Sequence, residues 1–264
     1  METNYFNVLK ENGIQWLPST KAKIPALSKY GEYYKNPPSE QEYQAWTNGV
    51  LYKSYDGIQL ICGKVSNNLL TFDFDTKDES IIKAVLEKDI YSLKNETWVS
   101  STPRGYHVHY FVEKGVETKM RQFDGIKSVE IKGERSLSKE YPSEGYVNLS
   151  SHENIKELSK EEYNKLIAKL ELISENWKFI EPVLEHWELR HRQLLALGFT
   201  AFLRKKLKLA KEQAEDILSF IEKLKNDEQP EERKSAIKET YSKPIEEVAI
   251  HDWFKLWKLI ISTC

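Results

Sequence analysis

The period of the apolar residues changes once along this chain, and that change limits the folds open to it. Up to about residue 158, short runs alternate with a period of two, as in NLLTFDFD (68–75) and YHVHYFV (106–112). From Ser159 onward the spacing is helical, with Ala214, Ile217, Leu218, Ile221 and Leu224 on one face. Strands mixed with helices, followed by helices alone, predict an α+β chain in two parts. The boundary falls at ISENWKFIEP, which gives residues 1–172, a linker at 173–183, and a helical domain at 184–264.

Local signals fill in the first part. Thr3 and Gly13 bracket a helix over 4–12, and IQWLP (14–18) reads as a strand. Ser39 with Glu42 makes a capping box for a helix that turns Tyr43 and Trp46 inward, and Ser159 with Glu162 makes another. GIQLIC (57–62), residues 97–100, KSVEIKG (127–133) and a segment of YPSEGYVNLS are further strands. TKDESIIKAVLEKD is a helix with Ile81, Ile82, Val85 and Leu86 on its apolar side.

Composition excludes several classes. Lys and Arg number 39 against 41 Asp and Glu, so no global positive field advertises nucleic acid, and such binding must come from local patches. The two cysteines, Cys62 and Cys264, are neither a disulfide framework nor a zinc cluster, so no zinc is expected. No apolar run approaches the roughly 18 residues of a membrane span, and the N-terminus lacks the pattern of a signal peptide; the expected location is the cytoplasm.

Asp73 and Asp75 lie two apart on a strand and project from the same face, with Phe74 turned into the core between them. Two unit charges 4 Å apart repel by about 4 kcal/mol at an effective dielectric of about 20, so a positive group belongs between them. A hard divalent cation, Mg²⁺ or Mn²⁺, meets that need with oxygen ligands. Glu130, in KSVEIKG, is a third acid on a strand and shares its face with Lys132. Each residue also has a plainer role: Asp75 as a helix cap, Glu130 as the wet side of its strand, Lys132 as a solvated lysine.

His107, His109 and Phe111 share one face of their strand, and Tyr106, Val108, Tyr110 and Val112 the other. Three readings fit the histidines: a half-exposed strand, a His-hydrophobic-His metal pair as in rolling-circle nicking enzymes, or a phosphate-binding histidine after the turn Ser101-Thr102-Pro103-Arg104-Gly105.

Taken in order, acid-x-acid on one strand, Ser-x-x-x-Gly-x-His entering a second and an acid on a third resemble the three motifs of the archaeo-eukaryotic primase superfamily. The likeness is to the primase-polymerase branch of archaeal plasmid replication proteins. It extends to Lys23-Ile24-Pro25, the aromatic helix with Tyr43 and Trp46, and the ICGKVSNN turn. The resemblance implies an RRM-like palm sheet with an N-terminal αβ unit over residues 1–172. It implies metal ligation by Asp73, Asp75 and Glu130 with two divalent ions, and contact of His107 with the triphosphate of an incoming NTP or dNTP. Ser101 and Arg104 follow as nucleotide-binding candidates, and Lys132 could add positive charge. His109 stands where relatives carry an aromatic residue and receives no chemical role. Glu130 departs from the commoner Asp.

The helical part resembles the helix-bundle domain that follows the catalytic core in the same proteins, through Arg190-His191, Leu194-Leu195-Ala196, Phe202-Leu203-Arg204-Lys205 and Thr240-Tyr241. That likeness implies recognition of a single-stranded DNA template, with Arg190, Arg204, Lys205 and Tyr241 as contacts and a helicase or other replication protein as a partner. A packing domain with a solvated basic end is the plainer alternative. No Gly-x-x-x-x-Gly-Lys-Ser/Thr sequence occurs. Three rivals to DNA primase-polymerase activity stand: a nicking enzyme, for which only Tyr110 has the required lysine (Lys114) four residues on but faces away from the histidines; a metal nuclease, which would use the same acids but has no need of the Ser/Gly turn and histidine; and a non-catalytic single-strand binder.

Overall fold

The structure is a computed structural model that describes residues 2–123, 125–126, 128–150, 155–188 and 191–248. In chain order it comprises helix α1 (Glu2–Glu11), strand β1 (Trp16–Ser19), helix α2 (Glu40–Leu51), strands β2 (Gly57–Ile61) and β3 (Leu69–Phe74), and helices α3 (Glu79–Leu86) and α4 (Ile90–Glu96). Strands β4 (Trp98–Ser101), β5 (Tyr106–Val112), β6 (Arg121–Gln122), β7 (Val129–Lys132), β8 (Leu137–Glu140), β9 (Val147–Asn148) and β10 (Glu157–Leu158) follow. Helices α5 (Lys160–Glu175), α6 (Trp177–Glu185), α7 (Arg192–Lys205), α8 (Lys211–Leu224) and α9 (Pro230–Ser242) complete it. The class is mixed α+β, as the change of period predicts. No helix among the described residues is long and apolar enough to cross a membrane.

Two compact units emerge. One comprises Met1–Glu79, Asp89–Phe123 and Lys127–Lys165, the other Ser80–Lys88, Asp124–Ile126 and Leu166–Cys264. Residues 173–183, expected as a linker, are helical instead: the end of α5 and most of α6. Pro182 and the polar flanks suggest a break, yet Ile180, Val183 and Leu184 on α6 are buried, and that packing outweighs the local signal.

The first unit contains two sheets. In the smaller, β2 lies between β1 and β8, all antiparallel. The larger runs β6-β7-β3-β5-β4-β9, also antiparallel, with β10 added parallel to β5. Both capping boxes form as the sequence predicts: at α2, Ser39 and Glu42 satisfy each other's backbone N–H, and at α5, Ser159 and Glu162 do the same. A core of Leu9, Ile14, Trp16, Leu17, Trp46, Ile58, Leu60 and Trp98 fills in around these elements.

Period-two alternation gives the larger sheet two different faces. Val99, Val108, Phe72 and Ile131 pair across four strands and are fully buried, each worth about 1.5–3 kcal/mol of hydrophobic burial. On the opposite face the paired row is polar: Asn148, Ser100, His107, Asp73, Glu130 and Gln122, one residue from each of six strands. Beside it runs Trp98, His109, Thr71 and Lys132.

The second unit is largely helical in its described part, with α7 packed on α9 and α8. Its polar centre is the buried Asp227, which accepts hydrogen bonds from Trp187 Nε1 (3.1 Å), Arg233 Nε (3.1 Å) and the Gln229 backbone (2.9 Å).

Candidate functional site

Strand register brings three of the four principal candidates together. Asp73 lies directly opposite His107 on one side and Glu130 on the other, so all three project from one face. His107 Nε2 is 3.2 Å from Asp73 Oδ1. Lys132 Nζ reaches both acids, 3.0 Å from Asp73 Oδ2 and 3.4 Å from Glu130 Oε2, so an ammonium holds the place where the sequence called for positive charge.

Asp75 lies just beyond the end of β3. Its backbone N–H donates to the Ser128 carbonyl (2.8 Å), and its half-exposed carboxylate accepts from Arg104 Nη2 (2.7 Å). Asp73, Asp75, Thr102, His107, Lys132 and Tyr146 line one cleft of about 220 Å³. Two larger hollows in this unit, about 360 and 850 Å³, are lined by α1–α2 and by the surroundings of β1, and none of these groups borders them.

The turn from β4 to β5 fits closely against the end of β3. A Cβ on Gly105 would lie 1.7 Å from the Phe74 carbonyl oxygen, so no larger residue fits there without movement. Lys77 staples the same turn: its Nζ donates to the Thr102 carbonyl (2.7 Å), the Gly105 carbonyl (3.0 Å) and Ser101 Oγ (3.0 Å), and sits over the Tyr106 ring. Ser101 pairs with Tyr106 and therefore belongs to the face opposite His107, because β4 is already in strand geometry at that position. Ser100 is the serine on the His107 side, and it accepts from Trp98 Nε1.

Behind His107 lies a buried polar network that the sequence does not reveal. Glu140, on β8 of the smaller sheet, accepts a short hydrogen bond from His107 Nδ1 and one of 3.0 Å from His109 Nε2. Thr71 Oγ1 bonds His109 Nδ1 at 2.8 Å, and the His109 ring lies on Trp98. His109 and Glu140 are fully buried, and His107 is nearly so. Among the described residues, His107, His109 and Glu140 form a group that could hold a metal ion, their donor atoms all within 4.8 Å of one another. β8 escapes a sequence reading because LSKE has no apolar alternation, and its polar side chains are buried by distant partners: Lys139 pairs with Asp56 at 2.6 Å.

The electrostatics follow from this arrangement. Burial pushes the His107 imidazole down, but Glu140 and Asp73 together raise it to about 9. Burial raises Glu140 and Asp73, yet the histidines around Glu140, and His107 and Lys132 around Asp73, hold both carboxyls well below the usual range. For His109 burial prevails over Glu140, and its affinity for a proton falls. Lys132 is lowered by burial but raised further by Asp73 and Glu130.

The candidates on the helical unit make internal bonds. Arg204 donates to the Thr240 carbonyl and lies 5.0 Å from the Tyr241 ring centre, Lys205 donates to the Val248 carbonyl (2.8 Å), and the Tyr241 hydroxyl donates to the Leu209 carbonyl (2.9 Å). Arg190 lies outside the described residues.

No protein-family model matches the chain, and no curated protein matches it either.

Proposed function

We propose that the first unit is a divalent-metal-dependent nucleotidyltransferase of the primase-polymerase type, which makes or extends DNA primers on a single-stranded template. One observation carries this reading: Asp73, Glu130 and His107 stand side by side across three strands, and Asp75 lines one cleft with Asp73 and His107. The RRM-like palm and the template-binding helix bundle belong to the same proposal.

Asp73, Asp75 and Glu130 offer only carboxylate oxygens, the donors that Mg²⁺ or Mn²⁺ takes; Lys132 now pairs with Asp73 and Glu130, and Arg104 with Asp75, and an ion held there would take their place. When bound there, such ions supply the charge neutralisation that phosphoryl transfer requires at the attacking and leaving oxygens. The protein's own groups do the rest. His107, fixed from behind by Glu140, presents Nε2 toward Asp73 and the cleft, where it can meet the triphosphate of an NTP or dNTP. Arg104, exposed and paired with Asp75, can turn to a phosphate once Asp75 is engaged elsewhere. Lys77 keeps the intervening turn in place.

Purified protein incubated with single-stranded template, labelled NTPs or dNTPs and Mn²⁺ should extend a primer or form dinucleotides, and Asp73→Ala should abolish this. Wild-type protein that turns over no nucleotide, or an Asp73→Ala variant that extends normally, overturns the reading. Retention of DNA without turnover would favour the binding-only alternative.

A second reading has the His107, His109 and Glu140 group behind it, since two histidines on one strand with an acid are the metal ligands a nicking enzyme needs. Its weakness is burial: His109 and Glu140 expose no surface to a DNA strand, and Tyr110 is buried on the other face. Strand cleavage with a covalent tyrosine adduct would favour it.

A further inference from the structure

We propose that His107, His109 and Glu140 form a closed structural site for a zinc-class transition ion, joining β5 of the larger sheet to β8 of the smaller. This site is additional to any ion held by Asp73, Asp75 and Glu130, and it does not rest on the polymerase reading.

Three features of the network point to an ion. First, the donors converge: Nδ1 of His107 and Nε2 of His109 both face the Glu140 carboxylate, within a spread that bonds of about 2.0–2.2 Å can close with small movements.

Second, the far side of each ring already has the partner a metal-bound histidine requires. His107 Nε2 faces the Asp73 carboxylate at 3.2 Å and His109 Nδ1 faces the Thr71 hydroxyl at 2.8 Å. Such outer hydrogen bonds fix the ring and its tautomer, and leave the inner nitrogen's lone pair for the ion. The Thr71 hydroxyl can accept as well as donate, so His109 is free to present Nε2.

Third, Glu140 Oε2 is fully buried and has no hydrogen-bond partner. A carboxylate oxygen left in that state is costly, and coordination would satisfy it. Ser138 Oγ, 3.3 Å from His107 Nδ1, offers a further oxygen beside the three ligands.

The ligand chemistry narrows the ion. Two imidazoles and one carboxylate suit Zn²⁺ and its neighbours, whereas Mg²⁺ prefers oxygen alone. Near-complete burial leaves no route for substrate to the far side of His109 and Glu140, so the ion would serve structure, with the fourth position of the closed site filled by Ser138 Oγ or Glu140 Oε2. The cysteine count speaks against zinc because it assumes thiolate ligands, and this set uses none.

The test uses the untagged full chain, equilibrated with Zn²⁺ or Co²⁺, desalted, and analysed for bound metal by mass spectrometry and, for Co²⁺, by visible absorption. A single ion per chain is expected, with intense visible bands of low-coordinate Co²⁺. An unfolding temperature roughly 5 °C or more above that of chelator-treated protein should accompany it. His109→Phe, which keeps a ring against Trp98, and Glu140→Gln should each lose the ion, and Asp75→Asn should keep it. If Glu140→Gln does not fold, His109→Phe decides alone. Wild-type protein that holds no stoichiometric ion, or an ion that survives in folded His109→Phe or Glu140→Gln, overturns the proposal. Nucleotide incorporation is scored on the same preparations: synthesis without the ion sinks this site alone, and the ion without synthesis sinks only the polymerase reading.

Discussion

Replacing Gly105 with alanine tests how tightly the turn before His107 is seated on β3. The added methyl would lie 1.7 Å from the Phe74 carbonyl oxygen and 2.6 Å from both the nitrogen and the oxygen of Thr76, where ordinary contact begins near 3.4 Å. All three atoms are backbone, so no side-chain rotation relieves the clash, and the turn must retreat by more than about 1 Å. The Gly105 φ lies outside the left-handed region, so the cost is steric rather than conformational. Overpacking of this kind costs about 1–3 kcal/mol. With a urea m-value of about 2 kcal/mol/M, a loss of 2 kcal/mol lowers the unfolding midpoint of this unit by about 1 M. On the proposed nucleotidyl transfer, a shift of that size beside His107 would also cost about 10²-fold in rate, so incorporation should fall further than stability does. Gly31→Ala is the control: nothing lies within 4 Å of its Cβ position, and its midpoint should stay within about 0.5 kcal/mol of wild type. Equal midpoints for Gly105→Ala and Gly31→Ala would refute the close approach.

The two aspartates should separate by stability. Asp75→Ala breaks a largely exposed pair with Arg104 and should cost less than about 1 kcal/mol, whereas Asp73→Ala takes one buried carboxylate from both His107 and Lys132, which keep Glu140 and Glu130, and should cost about 2–3 kcal/mol, both read from chemical denaturation. Glu222 is raised by burial, and further by Asp227, to about 7. An acid with a raised folded pKa favours the folded state at low pH, so stability of the helical unit should decline as pH rises from about 4.5 through 7, and Glu222→Gln should flatten that slope in a series of thermal melts. Asp227→Ala takes the acceptor from Trp187 Nε1, Arg233 Nε and the Gln229 backbone together and should cost about 3–5 kcal/mol; a smaller loss by circular dichroism melting would mean that Glu232 and Gln193 suffice to hold Arg233.

Alternation and capping made much of the first unit readable. NLLTFDFD and YHVHYFV show their faces directly, because period two separates Phe72 and Phe74 from Asp73, and Val108 from His107. Once Val129 and Ile131 are placed inward, Glu130 and Lys132 follow to the other face. Three features resisted the same reading. Ser101 lies on the side away from His107 because the strand geometry of β4 continues through it, up to the turn. Residues 173–183 carry breaker signals that the burial of Ile180, Val183 and Leu184 overrides. Glu140 was invisible because LSKE carries no apolar pattern, and only its pairing with β2 and the two imidazoles explains its burial.

That pairing also sets the order in which the protein can be assembled. β8 joins β2 in a register that puts Ile58 opposite Glu140, and β10 completes the larger sheet only at Leu158. Sheets closed by segments so remote along the chain form slowly, since the entropy of the long intervening loop is lost before the contacts are made. On a ribosome, Asp73 and His107 would leave the exit tunnel well before Glu140, so the two imidazoles would lack their shared carboxylate until β8 emerges. Folding of the first unit should therefore wait on the docking of β8 against β2.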